Sequence, residues 1–226
     1  MTERWKTYIN GGLEQAGGTL PFAFDQWQFL FPLYLAIRRA TPSGGRLLDV
    51  GCGAGAFASL LTLRGYAVTG VDQDADVVAR ARITGQTLAG SATFEQADAF
   101  DLSPFHGRFD LAYSIGVVEH FDRDVTVSLI REQGRCATSV MVCIPTKFTK
   151  YAATITDERI YTLRQLERMV ADAGLAPVDK FVYGEVPTSL ARNFERALPA
   201  ALYRQFQRTF SYAMGIGVVG RRRAAR

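Results

Sequence analysis

Residues 47 to 55 read Leu47-Leu48-Asp49-Val50-Gly51-Cys52-Gly53-Ala54-Gly55. An apolar run that stops at three glycines, each two residues from the next, is a strand feeding a tight turn. Glycine has no Cβ and accepts positive φ, so such a turn lets the backbone approach a ligand closely and aim its amides at it. Ala56 to Arg64 then reads as a helix, ended by Gly65. Gly51, Gly53 and Ala56 also satisfy the relaxed dinucleotide fingerprint, glycine-x-glycine-x-x-alanine. By itself the turn leaves the ligand open.

Working outward, the same alternation recurs. Ala67 to Val71 is a second strand, and Asp74 to Leu88 a helix with Asp74 as N-cap. Ala92 to Gln96, Phe109 to Ser114 and Ser139 to Ile144 are further strands, with Val125 to Glu132 helical before the last of them. Leu163 to Ala173 is a helix stopped by Gly174. Pro177 to Tyr183 and Tyr212 to Val219 complete the strands. Strand–helix repetition of this kind predicts an α/β fold, with a parallel sheet covered by helices on both faces. Ligands of such sheets bind beyond the carboxyl ends of the strands.

Three stretches stand outside the alternation. Residues 1 to 45 are aromatic-rich, with Phe22 to Tyr34 readable as a helical lid or as a helix packed on the sheet. Residues 145 to 161 separate a strand from its helix. In 184 to 210, Leu190, Phe194, Leu198, Leu202 and Phe206 recur every four positions, which puts them on one helical face, and Pro199 divides the run into two helices. That face is either core packing or one wall of a pocket. The expected organisation is an N-terminal lid over 1–45 and a main domain over 46–226, with caps at about 145–161 and 184–210.

The chain has 226 residues, 48% of them hydrophobic and 21% charged, enough for one well-cored domain. Its net charge of +4 lies in Arg221 to Arg226, which hold four arginines; without them 22 basic residues face 22 acidic ones. A near-neutral body argues against nucleic acid as partner, and the tail reads as a solvated end. Cys52, Cys136 and Cys143 show no disulfide or metal spacing, which fits a reducing compartment. The first residues lack a signal peptide's apolar core, and Phe29 to Ile37 is too short to span a bilayer, so a cytoplasmic protein without membrane contact is expected.

Three acids sharpen the ligand. Asp49 lies two residues before the first glycine, where a pyrophosphate would be repelled and a cation tolerated. Asp72 ends the second strand, where a carboxylate can accept both hydroxyls of a ribose or cap the next helix. Asp98 follows the third strand, placed to accept from an exocyclic adenine amine or to serve as a loop acid.

With these residues in that order, the stretch from about 46 to 145 resembles the class I S-adenosylmethionine-dependent methyltransferases, above all the small-molecule subset that includes the ubiquinone-pathway enzymes. The resemblance implies a Rossmann-like seven-stranded sheet whose last strand is antiparallel. It implies S-adenosylmethionine as cofactor, with Asp49, Gly51, Cys52, Gly53 and Gly55 along its methionine part. Asp72 and Gln73 would hold its ribose, and Asp98, Ala99 and Phe100 its adenine. Ser114 to Phe121 would form the segment facing both cofactor and substrate.

The departures from the family also inform. No Asn/Asp-Pro-Pro-aromatic motif follows the fourth strand, and no Pro-Cys pair offers a nucleophile for cytosine chemistry. Some ubiquinone-pathway relatives place a glutamate three and four residues before a Glu-His metal pair; here Glu119 and His120 are present, but Gly116 stands in the first position, so no metal is expected. His120 is the candidate base or substrate contact, since imidazole titrates in the useful range, and Glu119 its acidic neighbour. Either can instead be structural. The acceptor is expected to be a small organic molecule, methylated at oxygen, nitrogen or carbon, and the protein a monomer or homodimer. An NAD(P)-dependent oxidoreductase and a non-catalytic cofactor-binding protein are the rival readings.

Overall fold

The structure, a computed structural model, describes residue 7 and residues 11–149, 159–188 and 197–223. Seven strands form one sheet: β1 (Arg46–Val50), β2 (Ala67–Asp72), β3 (Thr93–Gln96), β4 (Phe109–Ile115), β5 (Ala137–Pro145), β6 (Leu175–Tyr183) and β7 (Gly215–Arg222). Their order is β3-β2-β1-β4-β5-β7-β6. All neighbours pair in parallel except β7, which is antiparallel to both β5 and β6. This is the Rossmann-like arrangement with an inverted last strand that the resemblance implies. It directs the ends of β1 to β6 and the start of β7 to one edge.

Among the described residues, six helices flank the sheet: α1 (Thr19–Ala40), α2 (Ala56–Thr62), α3 (Ala75–Thr87), α4 (Arg123–Cys136), α5 (Leu163–Asp172) and α6 (Ala200–Phe210). On one face α1, α2 and α3 pack Leu33, Ile37, Phe57, Leu61 and Val78 against Leu47, Leu111 and Tyr113 of the strands. On the other, α4 and α5 set Ile130, Leu166 and Val170 against Val140, Val142 and Val218. The alternation of β1 explains the division: Leu47 belongs to the first cluster, and Leu48 with Val50 to a third cluster behind β1 and β4.

Several boundaries move, each for a local reason. The Asp122 carboxylate caps α4 by accepting from the Val125 amide at 3.2 Å, and nothing in 133–136 breaks the helix, so it runs beyond Glu132 to Cys136. β6 begins at Leu175 rather than Pro177. The proline has no amide for the ladder, and the register with β7 shifts between Pro177 and Asp179. β7 begins at Gly215 rather than Tyr212, because Ser211 in the left-handed region ends α6 and the Tyr212 amide bonds the Gln207 carbonyl. The strand then runs into the basic tail, where Arg221 pairs with Ser139 and Arg222 with Leu175, both arginines keeping exposed side chains.

The stripe repeating every four residues does not form the buried face of α6. Tyr203 and Gln207 are buried, Leu198 and Phe206 are half-buried, and Leu202 is 53% exposed. The helix meets the protein along the adjacent edge, where Phe206 stacks on Tyr212 at 5.4 Å. Leu190, Phe194 and Tyr151 lie outside the described residues. Among the described residues no helix is long and apolar enough to cross a membrane.

The N-terminal segment has two parts. The second half of α1 is core, with Leu33, Ala36 and Ile37 at 0% exposure, while its first half leaves Leu20 and Phe24 more than 60% exposed. Truncating Leu33 to alanine opens a cavity in the main cluster and should lower unfolding free energy by about 2–5 kcal/mol in a denaturant titration. Phe24→Ala should change it by less than about 0.5 kcal/mol. Equal effects would mean that α1 covers the sheet without belonging to its core.

Candidate cofactor and acceptor site

The turn after β1 is tied to β2. Gly51 and Cys52 both donate their amides to the Val71 carbonyl, at 2.8 and 3.0 Å. Gly53 donates to Asp72 Oδ2 at 3.3 Å, and Gly55 to the Cys52 carbonyl at 3.0 Å. Four of the five amides from Gly51 to Gly55 are therefore engaged inside the protein, against the expectation that the turn aims them at the ligand. What the turn offers is a close approach. A Cβ on Gly51, whose φ is +76°, would stand 2.5 Å from a Val117 methyl. Gly55 has a different function, since a Cβ there would strike Phe94 at 2.7 Å and Ala81 at 2.8 Å, on the side away from the turn's open surface.

Asp49 lies beneath this turn at 5% exposure, beside Gly70 of β2 and Tyr113 of β4 in the sheet register. Burial lifts its pKa from 3.8 to about 7; the Tyr113 hydroxyl opposes the rise and the Asp72 carboxylate adds to it. Asp72 is half-buried, and burial raises its pKa too, while the amides of Asp74 and Gly53 favour its charged form. The Cys52 thiol is pushed well above its usual range by burial and by both acids, so it stays protonated and unreactive. Two acids bordering one turn, with the Gly51, Cys52 and Gly53 amides spent on β2, make a place for a cation. A pyrophosphate would meet two carboxylates there.

The other expected contacts gather along the same edge. The Ala97 amide donates to the Asp72 carbonyl at 3.0 Å, and Gln96 Nε2 to the Gln73 carbonyl at 2.9 Å, which holds the exit of β3 beside that of β2. The exposed Asp98 accepts from the Phe100 amide at 2.9 Å, and Ala99 is half-buried next to it. Phe100, 52% exposed, meets Phe121 edge-to-face at 5.3 Å and so bridges the exits of β3 and β4. Ser114 departs from this group. It is 1% exposed and accepts from Gln133 Nε2 of α4 at 3.2 Å, so its side chain serves the far face of the sheet.

Glu119 and His120 sit on a short 3-10 turn, Val118–His120, just past β4. Glu119 is 1% exposed, and its charge contributes, after burial, to raising the Cys143 thiol and the Tyr183 phenol well above their ordinary ranges. His120 is half-buried, whereas the second histidine, His106, is bound to Glu132 Oε1 at 2.7 Å away from the site. Tyr183 packs edge-to-face on Phe29 of α1 at 5.4 Å. Beside that pair, at the carboxyl end of β6, an open cleft of about 520 Å3 is lined by Asp25, Gln28, Phe29, Pro32, Gly184 and Glu185. Phe148 of the first cap stacks on Tyr212 at 4.7 Å, and the Thr146 and Thr149 hydroxyls donate to the carbonyls of Ala213 and Met214, so the start of the first cap meets the segment between the second cap and β7. Tyr161 instead packs into the cluster of α4 and α5.

Residues 47–139 match a family model described as a methyltransferase domain. This is a class I methyltransferase domain. The chain is 34% identical over 157 residues to a ubiquinone biosynthesis O-methyltransferase of Nitrobacter winogradskyi, covering 68% of this chain and 56% of that protein. A Bradyrhizobium enzyme of the same name is 37% identical over 95 residues, 42% of this chain and 35% of that one. The chain thus spans about a third to just over half of the length of these curated relatives. Among solved structures, magnesium protoporphyrin IX methyltransferase from Synechocystis with bound SAH superposes with a TM-score of 0.63 at 16% identity, over 91% of this chain and 86% of that one. A SAM-dependent methyltransferase from Methanosarcina mazei gives 0.62 at 17% identity, over 83% and 96%. These last two show the shared fold.

Sequence reading missed Tyr113, which lies beside Asp49 in the sheet register, and it took in Val117 and Phe121 only as members of the segment 114–121, not for their approach to Gly51 and Phe100. These contacts carry no local signal, because each is made with a neighbour on another strand or turn.

The buried Asp49 has a measurable consequence. Its folded pKa is raised, so below about pH 7 it is neutral, and above that its charge is held in place at a cost to the ligand-free fold. Affinity for the cationic S-adenosylmethionine should therefore rise severalfold from pH 6 to pH 8 and level off above. In Asp49→Asn, calorimetry should find weaker binding with no such rise, and the ligand-free variant should melt higher than wild type at pH 8. A pH-independent wild-type affinity would remove Asp49 from the cation site.

Proposed function

We propose that this domain transfers the methyl group of S-adenosylmethionine to a small organic acceptor, with oxygen as the accepting atom, in line with the name its curated relatives carry. The observation that supports the cofactor most directly is the buried Asp49 beneath a glycine turn that sends its Gly51, Cys52 and Gly53 amides to β2. The same observation weighs against a nicotinamide dinucleotide, whose anionic pyrophosphate the carboxylate would repel. Asp49 and the backbone of Gly51 to Gly53 would hold the methionine part. Asp72 would hold the ribose, and Asp98 with Phe100 the adenine. Bound S-adenosylmethionine supplies a methyl group already activated on a sulfonium.

The chain's own contribution is then placement. Orienting two reactants in line is worth on the order of 7–11 kcal/mol in favourable cases. The acceptor would enter from the side of β4 and β5, where His120 and Pro145 lie, with the cleft beside Phe29 giving it an aromatic wall. His120 would accept the hydroxyl proton as the oxygen gains its methyl group, and Glu119 would stabilise the imidazolium. The two caps exclude water and select the acceptor, as loops on a rigid scaffold do.

Tritiated methyl transfer to phenol, catechol and the small-molecule fraction of a cell extract tests the activity. Label should reach an oxygen of an extracted product, and a chain that binds the cofactor yet labels nothing would be a silent binding protein. Asp72→Ala should weaken cofactor binding by about 1.5–3 kcal/mol, the range for a hydrogen bond to a charged group. Equal calorimetric affinity would take the ribose away from Asp72. Turnover should also survive chelation. Gly116 has a φ of +71°, a conformation in which a glutamate ligand would be strained. Loss on chelation, with recovery on adding magnesium, would reverse that expectation.

A further inference from the structure

Every carbonyl from Val118 to Phe121 is bound by a group from outside the turn. Thr126 Oγ1, on α4, donates to the Val118 carbonyl at 2.8 Å and to that of Phe121 at 3.4 Å. The two carbonyls between them belong to Glu119 and His120, and both go to a single residue. The Arg159 amide donates to the Glu119 carbonyl at 2.9 Å, and Arg159 Nη1 donates to the His120 carbonyl at 2.7 Å. Arg159 lies 39 residues from His120 in sequence, at the far end of the first cap segment and just before the Thr162 cap of α5.

We infer that Arg159 is a positioning residue: it locks the turn that carries Glu119 and His120 and thereby couples the end of the first cap to the acceptor side of the site. This rests on the proposed role of that turn in methyl transfer. The physical argument is local. A 3-10 turn of three residues has weak internal bonds, here His120 amide to Val117 carbonyl at 3.4 Å and Phe121 amide to Val118 carbonyl at 3.3 Å. Its orientation is consequently set by the outside donors, and three of these four bonds are shorter. A guanidinium is a charge-assisted donor with a fixed planar fork. With the backbone amide of the same residue it grips two successive carbonyls, which fixes both peptide planes flanking the His120 Cα. The direction in which the His120 side chain leaves the backbone follows from those two planes. Removing the guanidinium leaves the amide bond to Glu119 but frees the His120 carbonyl, so the loss falls on the residue that would touch the acceptor.

Histidine-labelled full-length protein, saturated with S-adenosylhomocysteine, gives a readout that needs no known acceptor. The chain has two histidines, and His106→Gln assigns their signals. In Arg159→Met the imidazole resonances of His120 should shift or broaden while those of His106 stay in place. Arg159→Lys, which can still reach the His120 carbonyl with one donor, should restore most of the wild-type spectrum. Cofactor affinity should stay within twofold and the melting temperature should be unchanged in both variants. With catechol as the acceptor probe, Arg159→Met should lower kcat about tenfold, the scale of one misplaced hydrogen-bonding group, with a smaller change in KM. In a His120→Gln background the same substitution should cost less than twofold, because its effect passes through His120. Unchanged His120 resonances in Arg159→Met would overturn the inference, as would equal losses in the two backgrounds. If His120→Gln turns over catechol like wild type, the acceptor role of the turn fails, while the imidazole spectrum still decides whether Arg159 holds it. If catechol is not methylated, the spectrum alone decides.

Discussion

One carbonyl organises this molecule. Val71 accepts two consecutive amides, those of Gly51 and Cys52, and so welds the turn after β1 to the end of β2. That bond pair fixes where the glycine turn lies, and the Gly53 amide then reaches the Asp72 carboxylate. Two consecutive amides can converge on one acceptor only if the chain bends sharply, which the left-handed φ of Gly51 allows. The sheet register places Asp49 and Asp72, and this contact sets the turn over the one and beside the other.

The electrostatic character of the site comes from the same constraint. A glycine-rich turn at a helix N-terminus usually presents free amides and favours anions. Here the Gly51, Cys52 and Gly53 amides are engaged by β2 and two carboxylates border the turn, which moves its preference toward cations. The cost of that reversal is a buried acid whose pKa stands near 7, a burden on the ligand-free fold that a bound cation would relieve. Stability is set against function at one residue, and the well-packed sheet around it, with Leu47, Leu48 and Leu111 at 0% exposure, tolerates the burden.

The far side of the edge is held by different means. Phe100 against Phe121, Thr126 and Arg159 on the turn carbonyls, and Phe148 against Tyr212 are contacts between segments well separated in sequence. Together they set how far apart the cofactor and acceptor regions stand. The helix α1 spans both concerns: its second half completes the core, and its first half, through Phe29 and Tyr183, reaches the cleft at the end of β6.

Much of this was legible in the chain. Strand–helix alternation from 46 onward, with punctuation at Gly65 and Gly174, determines the α/β architecture, because a buried parallel sheet needs continuous apolar strands and a helix must return the chain between them. The ordered acids Asp49, Asp72 and Asp98, each at a strand end or next to one, carry the proposal for the kind of ligand, since charge and position along a strand are properties of sequence. Three things needed the tertiary structure. The Gly51, Cys52 and Gly53 amides proved to be engaged, because their acceptors are on β2. Ser114 turned to α4 and the apolar stripe of α6 stayed partly exposed, because the side a residue faces depends on which neighbour packs there. Arg159 met the turn of His120 across 39 residues, a distance over which no local pattern survives. Sequence determines what repeats along the chain; contacts between distant segments are decided only when the chain closes on itself.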